Sequence, residues 1–317
     1  MSPSSVPKNP PPLKPGMDNP WYDYSPFPLR PKLNWPRNAR VASFVLLHLE
    51  YWELIADETS HRDPRHSGEF GSYVPDYRVW TQREYGNRTG IFRVLDVLDR
   101  YQVRAGVAVN ALAAERYPYL IEQFKKRKYE FIAHGHSANR MITSKMSEAE
   151  EKAEIAEALA AVEKAAGVRP KGWLGQDYGE SQRTPQLLAD AGLDYVIDWP
   201  NDDQPYPMKV GRKFVSLPNQ PEWDDVQQLW LRRINTTRYP DLVGEAFERL
   251  HHEGGQVFNL SVHPWLMGMP HRIKYLDEAL RRIERFGNVW QTTPGEITHH
   301  RDVFAGSAPL QWRSWAV

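Results

Sequence analysis

Hydrophobic positions along this chain form two alternating patterns, short apolar runs and longer amphipathic stretches. The short runs are rich in β-branched and aromatic residues and predict strands, whereas the longer stretches repeat their apolar positions with a helical period. Strands that alternate with helices are typical of βα units around a mostly parallel sheet. The number of units predicts an α/β fold with a closed or nearly closed barrel.

The predicted elements follow one another from residue 41 onward. The strands are predicted at 41–49, 104–110, 129–133, 170–174, 194–198, 213–217, 257–262 and 288–291. The helices are predicted at 88–101, 113–127, 147–166, 184–192, 241–253, 270–286 and 294–301. Ser147 with Glu150 matches a capping box, which supports the start of the third helix.

The N-terminal arm differs from the rest of the chain, since 11 of the 26 prolines fall within the first 40 residues. Proline disfavours helix interiors and sheet ladders, so this arm is predicted to be extended. Aromatic residues such as Trp21 and Trp35 are costly in water, so from about residue 20 the arm is expected to pack on the domain or on a neighbouring subunit. The chain therefore divides into an arm at 1–38, a barrel at 39–302 and a tail at 303–317.

One segment of the barrel, 51–87, is polar and aromatic and lacks clear periodicity. Long loops of this kind are either lids over a site or surface decoration. The sequence leaves both alternatives open.

Three separate apolar runs stop on a side chain that can move protons or bind a metal. Glu50 follows Val41–Leu49, His134 follows Phe131–Ala133, and His263 follows Val257–Val262. Because the carboxyl ends of parallel strands converge on one rim, these three residues are expected to meet in one pocket. A carboxylate shielded from water there is a candidate general base, and an imidazole is a candidate proton donor to a departing nitrogen.

Other residues near the predicted rim are candidates for positioning and binding. His136 lies two residues after His134 and shares its face only if the strand continues. Asp198 comes after another strand and is the preferred candidate to orient a histidine. Flat rings suited to stacking on a planar heterocycle or a sugar lie at Trp52, Trp173, Trp199 and Trp265.

Composition excludes several classes of function. Lys plus Arg equals Asp plus Glu at 40 each, so no broad field favours nucleic acid or an anionic membrane, and a small-molecule substrate is expected. The absence of cysteine excludes disulfides, thiolate metal sites and a cysteine nucleophile. No apolar stretch approaches the ~20 residues that span a bilayer, and the start lacks the core of a secretory signal, so cytoplasmic residence is expected.

Several motifs occur in the order seen in polysaccharide deacetylase-like proteins, and the resemblance covers about residues 34–300. The motifs are WPRNARVASFVLL, REYGNRTGIFRVLDVLDRYQV, IAHGHSANR, RPKGWLG, the Asp-Trp segment and LSVHPWLMGMPHR. Glu84-Tyr85-Gly86 and the run at 263–272 resemble the branch of metal-independent allantoinases and cyclic imide hydrolases. The resemblance implies a distorted (β/α)7–8 barrel, a homotetramer and hydrolysis of non-peptide carbon–nitrogen bonds. It also implies a binding role for Glu84.

The chain departs from the sugar deacetylases at their metal ligands. They carry an Asp-Asp pair after the first strand, where this chain has Glu50 and Tyr51. They repeat a histidine four residues after the first, where this chain has Ala138, and the arginine of their third motif is replaced near Gln176. No metal is therefore expected. If zinc is bound, its candidate ligands are Glu50, His134, His136 and His263.

The sequence predicts a hydrolase of a small cyclic amide, imide or ureide. Glu50 is the expected base, His263 the expected acid, and His134 the residue that holds or polarises the carbonyl. The expected substrate-binding residues are Tyr51, Trp52, Glu84, Asn139, Trp199 and Trp265. Two alternatives remain open, a metal-dependent N-deacetylase of an acetylated amino sugar and a non-catalytic metabolite-binding barrel.

Overall fold

The computed structural model describes residues 13, 14, 16–56, 75–300 and 303. The strands of this part of the chain are β1 (Val41–Leu49), β2 (Gly106–Val109), β3 (Glu130–Ala133), β4 (Gly172–Trp173), β5 (Tyr195–Val196), β6 (Tyr206–Pro207), β7 (Val215–Ser216), β8 (Gln256–Val262) and β9 (Val289–Gln291). The helices are α1 (Tyr77–Tyr85), α2 (Ile91–Arg100), α3 (Ala111–Arg116), α4 (Pro118–Lys126), α5 (Glu148–Ala166), α6 (Thr184–Asp190), α7 (Tyr239–Glu253), α8 (Pro264–Met267), α9 (Ile273–Glu284) and α10 (Pro294–Thr298).

The strands form one curled sheet in the order β6-β7-β5-β4-β3-β2-β1-β8, with β9 paired to β1. Every pairing is parallel except that of β6 with β7. This topology confirms the predicted distorted barrel of the polysaccharide deacetylase type. Strand β6 was not predicted, because it is two residues long and contains Pro207, which cannot donate to a sheet ladder.

The alternation of side chains along β1 divides the core into an inner and an outer layer. Val45, Leu47 and Leu49 point outward and pack with the helices, including Phe247 of α7. Phe44, Leu46 and other strand residues of the same parity fill the barrel interior. The same alternation continues to the carboxyl end of each strand, where the inward-facing residues change from apolar to polar.

The barrel is closed along the free edge of β8 by individual bonds from loops. The Trp35 Nε1–H of the N-terminal arm donates to the Gln256 carbonyl at 2.9 Å. The Trp223 Nε1–H donates to the Asn259 carbonyl at 2.7 Å, and the Val257 N–H donates to the Asp203 carbonyl at 2.9 Å. We call this line of bonds the seam.

The predicted helix 88–101 is part of a longer helical run that begins at Tyr77 and contains a π-helical turn, Gly86–Gly90. A Cβ on Gly86 would lie 2.5 Å from the Trp265 backbone nitrogen, and one on Gly90 would lie 2.3 Å from the Pro264 carbonyl oxygen. Glycine at these two positions therefore lets the run contact α8, the turn that follows His263. Elsewhere Pro118 divides the predicted helix 113–127 into α3 and α4.

The N-terminal arm packs on the barrel in places. Trp35 is buried in the inner core, and Tyr22 contacts the rings of Trp199 and Tyr206. Tyr24 and Phe27 are exposed, at 59% and 47%. The expected packing from about residue 20 is thus confirmed for some aromatic residues of the arm and not for others.

Two predictions concern residues outside the described ones. Residues 57–74 of the segment predicted as a lid or as surface decoration, and the tail beyond Val303, belong to that part. Both stay predictions. Among the described helices, none has both the length and the apolar content that crossing a membrane requires.

Candidate active site

Glu50, His134 and His263 meet at the carboxyl end of the barrel, as the strand-end pattern predicts. They line one cavity of about 40 Å³. All three are buried, and the His134 Nε2 lies 3.5 Å from the Glu50 Oε1. The same carboxylate oxygen accepts a 3.2 Å hydrogen bond from the Gln176 side-chain amide. A space of this size accommodates water beside the carboxylate.

A backbone carbonyl fixes the ring of His134. Its Nδ1 lies 2.7 Å from the Leu174 carbonyl oxygen, which only accepts hydrogen bonds, so Nδ1 carries the proton. Nε2 then faces Glu50 and has no hydrogen-bond partner in the described structure. The neutral ring therefore offers an acceptor to the cavity, and only the charged ring offers a donor.

A buried carboxylate fixes the ring of His263. The Asp225 Oδ1 lies 2.6 Å from His263 Nδ1, and the Asp225 Oδ2 accepts the His263 backbone N–H at 2.8 Å. Burial opposes a charge on the ring, but the negative charge of Asp225 outweighs burial and raises the pKa of His263 to about 9. His263 is therefore a cation at neutral pH.

The charges around Glu50 keep its carboxylate ionised. Burial alone would raise the pKa of Glu50, but the nearby His134 ring and the charge of His263 outweigh it, and the pKa is lowered below its ordinary value. The cavity thus pairs an ionised acid with a protonated base.

His48 is a site residue that the sequence predictions missed. It precedes Glu50 by two residues and therefore faces the same side of β1. Its ring stacks on His263 with centroids 3.7 Å apart and planes 20° apart. Burial and the charge of His263 lower the pKa of His48 well below its ordinary value, so the ring is neutral. The i, i+2 spacing was the available signal.

The predicted binding residues fall into two groups. Trp52 and Trp265 line the cavity. The other four have contacts elsewhere: Tyr51 packs near Tyr117, Glu84 accepts a hydrogen bond from the Tyr117 hydroxyl, Asn139 accepts the Glu53 backbone N–H, and Trp199 packs against Tyr22. Their binding roles stay predictions.

His136 and Asp198 have partners other than the expected ones. The His136 ring bonds to Glu157 on α5 at 2.9 Å. Asp198 accepts the Gly175 backbone N–H at 2.6 Å, and burial raises its pKa to about 7. The carboxylate that orients a site histidine is Asp225, and not Asp198 as the sequence suggested.

The side chains of the cavity are of the types that bind zinc, but the two stacked rings are not oriented as they are in a zinc site. Ligand atoms of His48, Glu50 and His263 lie within 4.8 Å of one another, and two imidazoles with one carboxylate are a known zinc set. A bound zinc ion lies about 2.0–2.1 Å from each nitrogen and in the plane of each ring. Two stacked rings 3.7 Å apart cannot both meet that condition. This arrangement of His48 and His263 does not fit a shared metal ion.

Comparisons with known proteins agree with this fold. Residues 76–196 match the family described as Polysaccharide deacetylase. A Schizosaccharomyces pombe protein named "Putative polysaccharide deacetylase" is 24% identical over 83% of this chain and 90% of its own length.

Two solved structures show the same fold along most of the chain. The structure of Puue Allantoinase is 22% identical, covers 93% of this chain and 99% of its own, and has a TM-score of 0.78. A structure titled as a probable polysaccharide deacetylase from Pseudomonas aeruginosa PAO1 is 23% identical, covers 87% and 95%, and has a TM-score of 0.76. The matched segment supports the predicted resemblance to polysaccharide deacetylase-like proteins, and the two structures confirm the predicted fold. Part of this chain, residues 76–196, is thus similar to the polysaccharide deacetylase family.

Proposed function

We propose that this protein opens a small cyclic amide, imide or ureide by hydrolysis of its carbon–nitrogen bond. One observation carries the proposal: an ionised carboxylate, Glu50, and a protonated imidazole, His263, face the same buried cavity. Hydrolysis of an amide needs a base for the attacking water and an acid for the leaving nitrogen. The cavity supplies both.

The proposed reaction begins with a water molecule beside Glu50. The carboxylate accepts a proton from the water, whose oxygen attacks the ring carbonyl and forms a tetrahedral intermediate. The carbon–nitrogen bond then breaks while His263 donates its Nε2 proton to the nitrogen. Transfer of the proton from Glu50 to the neutral His263, through solvent, restores both groups. The sum is one water added across one carbon–nitrogen bond.

His134 takes part according to its charge. With Nδ1 committed to the Leu174 carbonyl, the ring polarises the substrate carbonyl only as the imidazolium, when Nε2 also carries a proton. In the neutral form Nε2 accepts, and His134 then shares with Glu50 the proton taken from water.

A cyclic substrate is supported by the walls of the cavity. The rings of Trp52 and Trp265 are flat surfaces on which a planar ring can stack. A strained ring also needs less stabilisation of its transition state than an acetamide does. The similarity in fold to an allantoinase is in line with this choice.

A hydrolysis screen tests the proposal. Hydantoin, succinimide and allantoin are incubated with the wild type and with Glu50→Gln, and ring opening is followed by the loss of ring absorbance. Turnover by the wild type and a loss of about 10³-fold in Glu50→Gln are expected. Glu122→Gln, an exposed residue that pairs with Lys125, is the matched control and should keep full activity. Binding without turnover across the panel would contradict the proposal.

A zinc-dependent N-deacetylase is the second candidate, because the ligand atoms of His48, Glu50 and His263 lie close together. It requires the stacked rings to rotate apart. Metal analysis of the purified protein and activity on N-acetylglucosamine oligomers before and after chelation distinguish the two. Stoichiometric zinc with chelator-sensitive deacetylation would favour this candidate.

We further propose a cytoplasmic homotetramer, which rests on the family resemblance. Light scattering is then expected to give four times the 36.8 kDa of the chain. A monomer would contradict the proposed assembly without affecting the proposed chemistry.

A further inference from the structure

Arg83, on α1, is a buried cation without a hydrogen-bond partner in the described structure. It is 3% exposed. None of its three guanidinium nitrogens has a hydrogen-bond partner. A guanidinium presents five N–H donors, so this is the largest group of unsatisfied donors near the site.

Aromatic faces are the immediate neighbours of Arg83. Its central carbon lies 3.3 Å from the ring centroid of Trp265, 4.7 Å from that of Trp52 and 5.2 Å from that of Trp230. Cation–π contacts of this kind offset part of the loss of hydration. They leave all three guanidinium nitrogens without a hydrogen-bond partner in the described structure.

Packing alone does not explain this residue. Removing a charge from water is costly unless a counter-charge and hydrogen bonds replace the water, and an apolar side chain would fill the same space at lower cost. Burial accordingly lowers the pKa of Arg83 to about 9, which still leaves it charged at neutral pH. The unpartnered N–H groups of Arg83 match an anion that offers two acceptors.

Arg83 adjoins the cavity of the site. Trp52 and Trp265, which cover its guanidinium, both line that cavity. Its charge also interacts with Glu50 and Asp177, two further lining residues, although neither forms a hydrogen bond with it. Trp52 lies in a segment without regular secondary structure. Arg83 is therefore in contact with two residues of the cavity wall.

We propose that Arg83 binds a carboxylate on the substrate, so that the preferred substrate is a cyclic amide, imide or ureide that carries a carboxylate. The guanidinium fork and a carboxylate form two parallel hydrogen bonds, which would satisfy donors that are unpartnered here. The inference rests on the proposed function and narrows it. Arg83 selects the substrate, whereas Glu50 and His263 carry out the chemical steps.

A pair of matched substrates tests the inference. The ratio of kcat/KM for hydantoin-5-acetate to that for hydantoin is measured in the wild type, in Arg83→Met and in Arg83→Lys. A ratio of about 100 or more is expected for the wild type, with a fall below about 10 in Arg83→Met and an intermediate value in Arg83→Lys. An equal rate on both compounds, or an unchanged ratio in Arg83→Met, would overturn it.

Two further measurements separate the possible failures. Calorimetric binding of hydantoin-5-acetate to the wild type and to Arg83→Met does not depend on turnover. Binding by the wild type that Arg83→Met loses supports the role of Arg83 even where no ring is opened, and absence of binding by the wild type overturns it.

The melting temperature of Arg83→Met is expected to equal or exceed that of the wild type. A lower value with an unchanged substrate ratio would assign Arg83 to packing.

Arg78→Met is the matched control. Arg78 lies on the same helix, is exposed and pairs with Asp76 at 3.1 Å. Its substitution removes an arginine from α1 outside the cavity, so the substrate ratio should stay at the wild-type value.

Discussion

His134 and His263 are the same residue type at the ends of two parallel strands, yet a different kind of group bonds to the Nδ1 of each ring. A backbone carbonyl accepts from Nδ1 of His134, whereas the ionised Asp225 bonds to Nδ1 of His263. A carbonyl fixes the tautomer of the ring. A carboxylate also stabilises the cation, which raises the pKa of His263 to about 9.

The difference shows that position in the fold does not assign the role of a site histidine. The partner of its second nitrogen does. His263 can give a proton at neutral pH, and His134 can exchange one with Glu50. The following experiments test this division.

The largest expected effect is that of His263→Gln. Loss of a positioned acid typically costs about 10²–10⁴-fold, and the fall of kcat/KM above about pH 9 should disappear because the titrating ring is gone. His134→Gln should also lose activity but keep that alkaline fall. Full pH profiles of both variants are the measurement, and a retained alkaline limb in His263→Gln would contradict the assignment.

The next effect concerns stability. The pKa of His263 is raised on folding, so its contribution is complete below pH 6.5 and is lost as the pH rises through about 9. The contribution is on the order of 3 kcal/mol. Urea unfolding of the wild type should show this decline over that interval, and Asp225→Asn should show a much smaller one. Parallel declines in the two proteins would mean that another group is responsible.

Asp225→Asn should also move the activity profile. Without the carboxylate the pKa of His263 falls toward 6.5, so kcat/KM at pH 8 should decrease by more than about tenfold while the loss at pH 6 is smaller. The measurement is the pH at which kcat/KM begins to fall on the alkaline side of the profile. A uniform loss at every pH would indicate a misplaced ring and not a changed charge.

The smallest effect is expected for His48→Phe. Phenylalanine keeps the stacking on His263 and removes both ring nitrogens, which have no partner in the described structure. Activity should stay within about tenfold of the wild type, since the ring is not assigned a proton to transfer. Loss of nearly all activity together with loss of bound zinc would instead identify His48 as a ligand.

The parts of the fold and site that depend on local pattern could be predicted from the sequence. Strand β1 occurs at the predicted residues, and β8 begins one residue earlier than predicted. Glu50 and His263 were found because each ends a long apolar run. His48 was open to the same reasoning, since residues two apart on a strand share a face.

Asp225 could not be predicted in this way. It lies 38 residues from His263 in the chain and immediately before a π-helical turn, Val226–Leu231, so no periodicity marks it. The sequence pointed to Asp198 because that residue follows a strand. Arg83 likewise lies in the segment without clear periodicity, 51–87, and only tertiary packing shows that it is enclosed by three tryptophans.

The seam and the β1–β8 ladder hold strand β8 in different ways. Strand β8 is joined to β1 by seven paired positions, but its other edge is held by single bonds from loops and from Trp35. Glu50 and His263 follow these two joined strands, so small displacements along the weaker edge leave their separation unchanged. The spacing of these two residues therefore depends on the β1–β8 ladder and not on the loops of the seam.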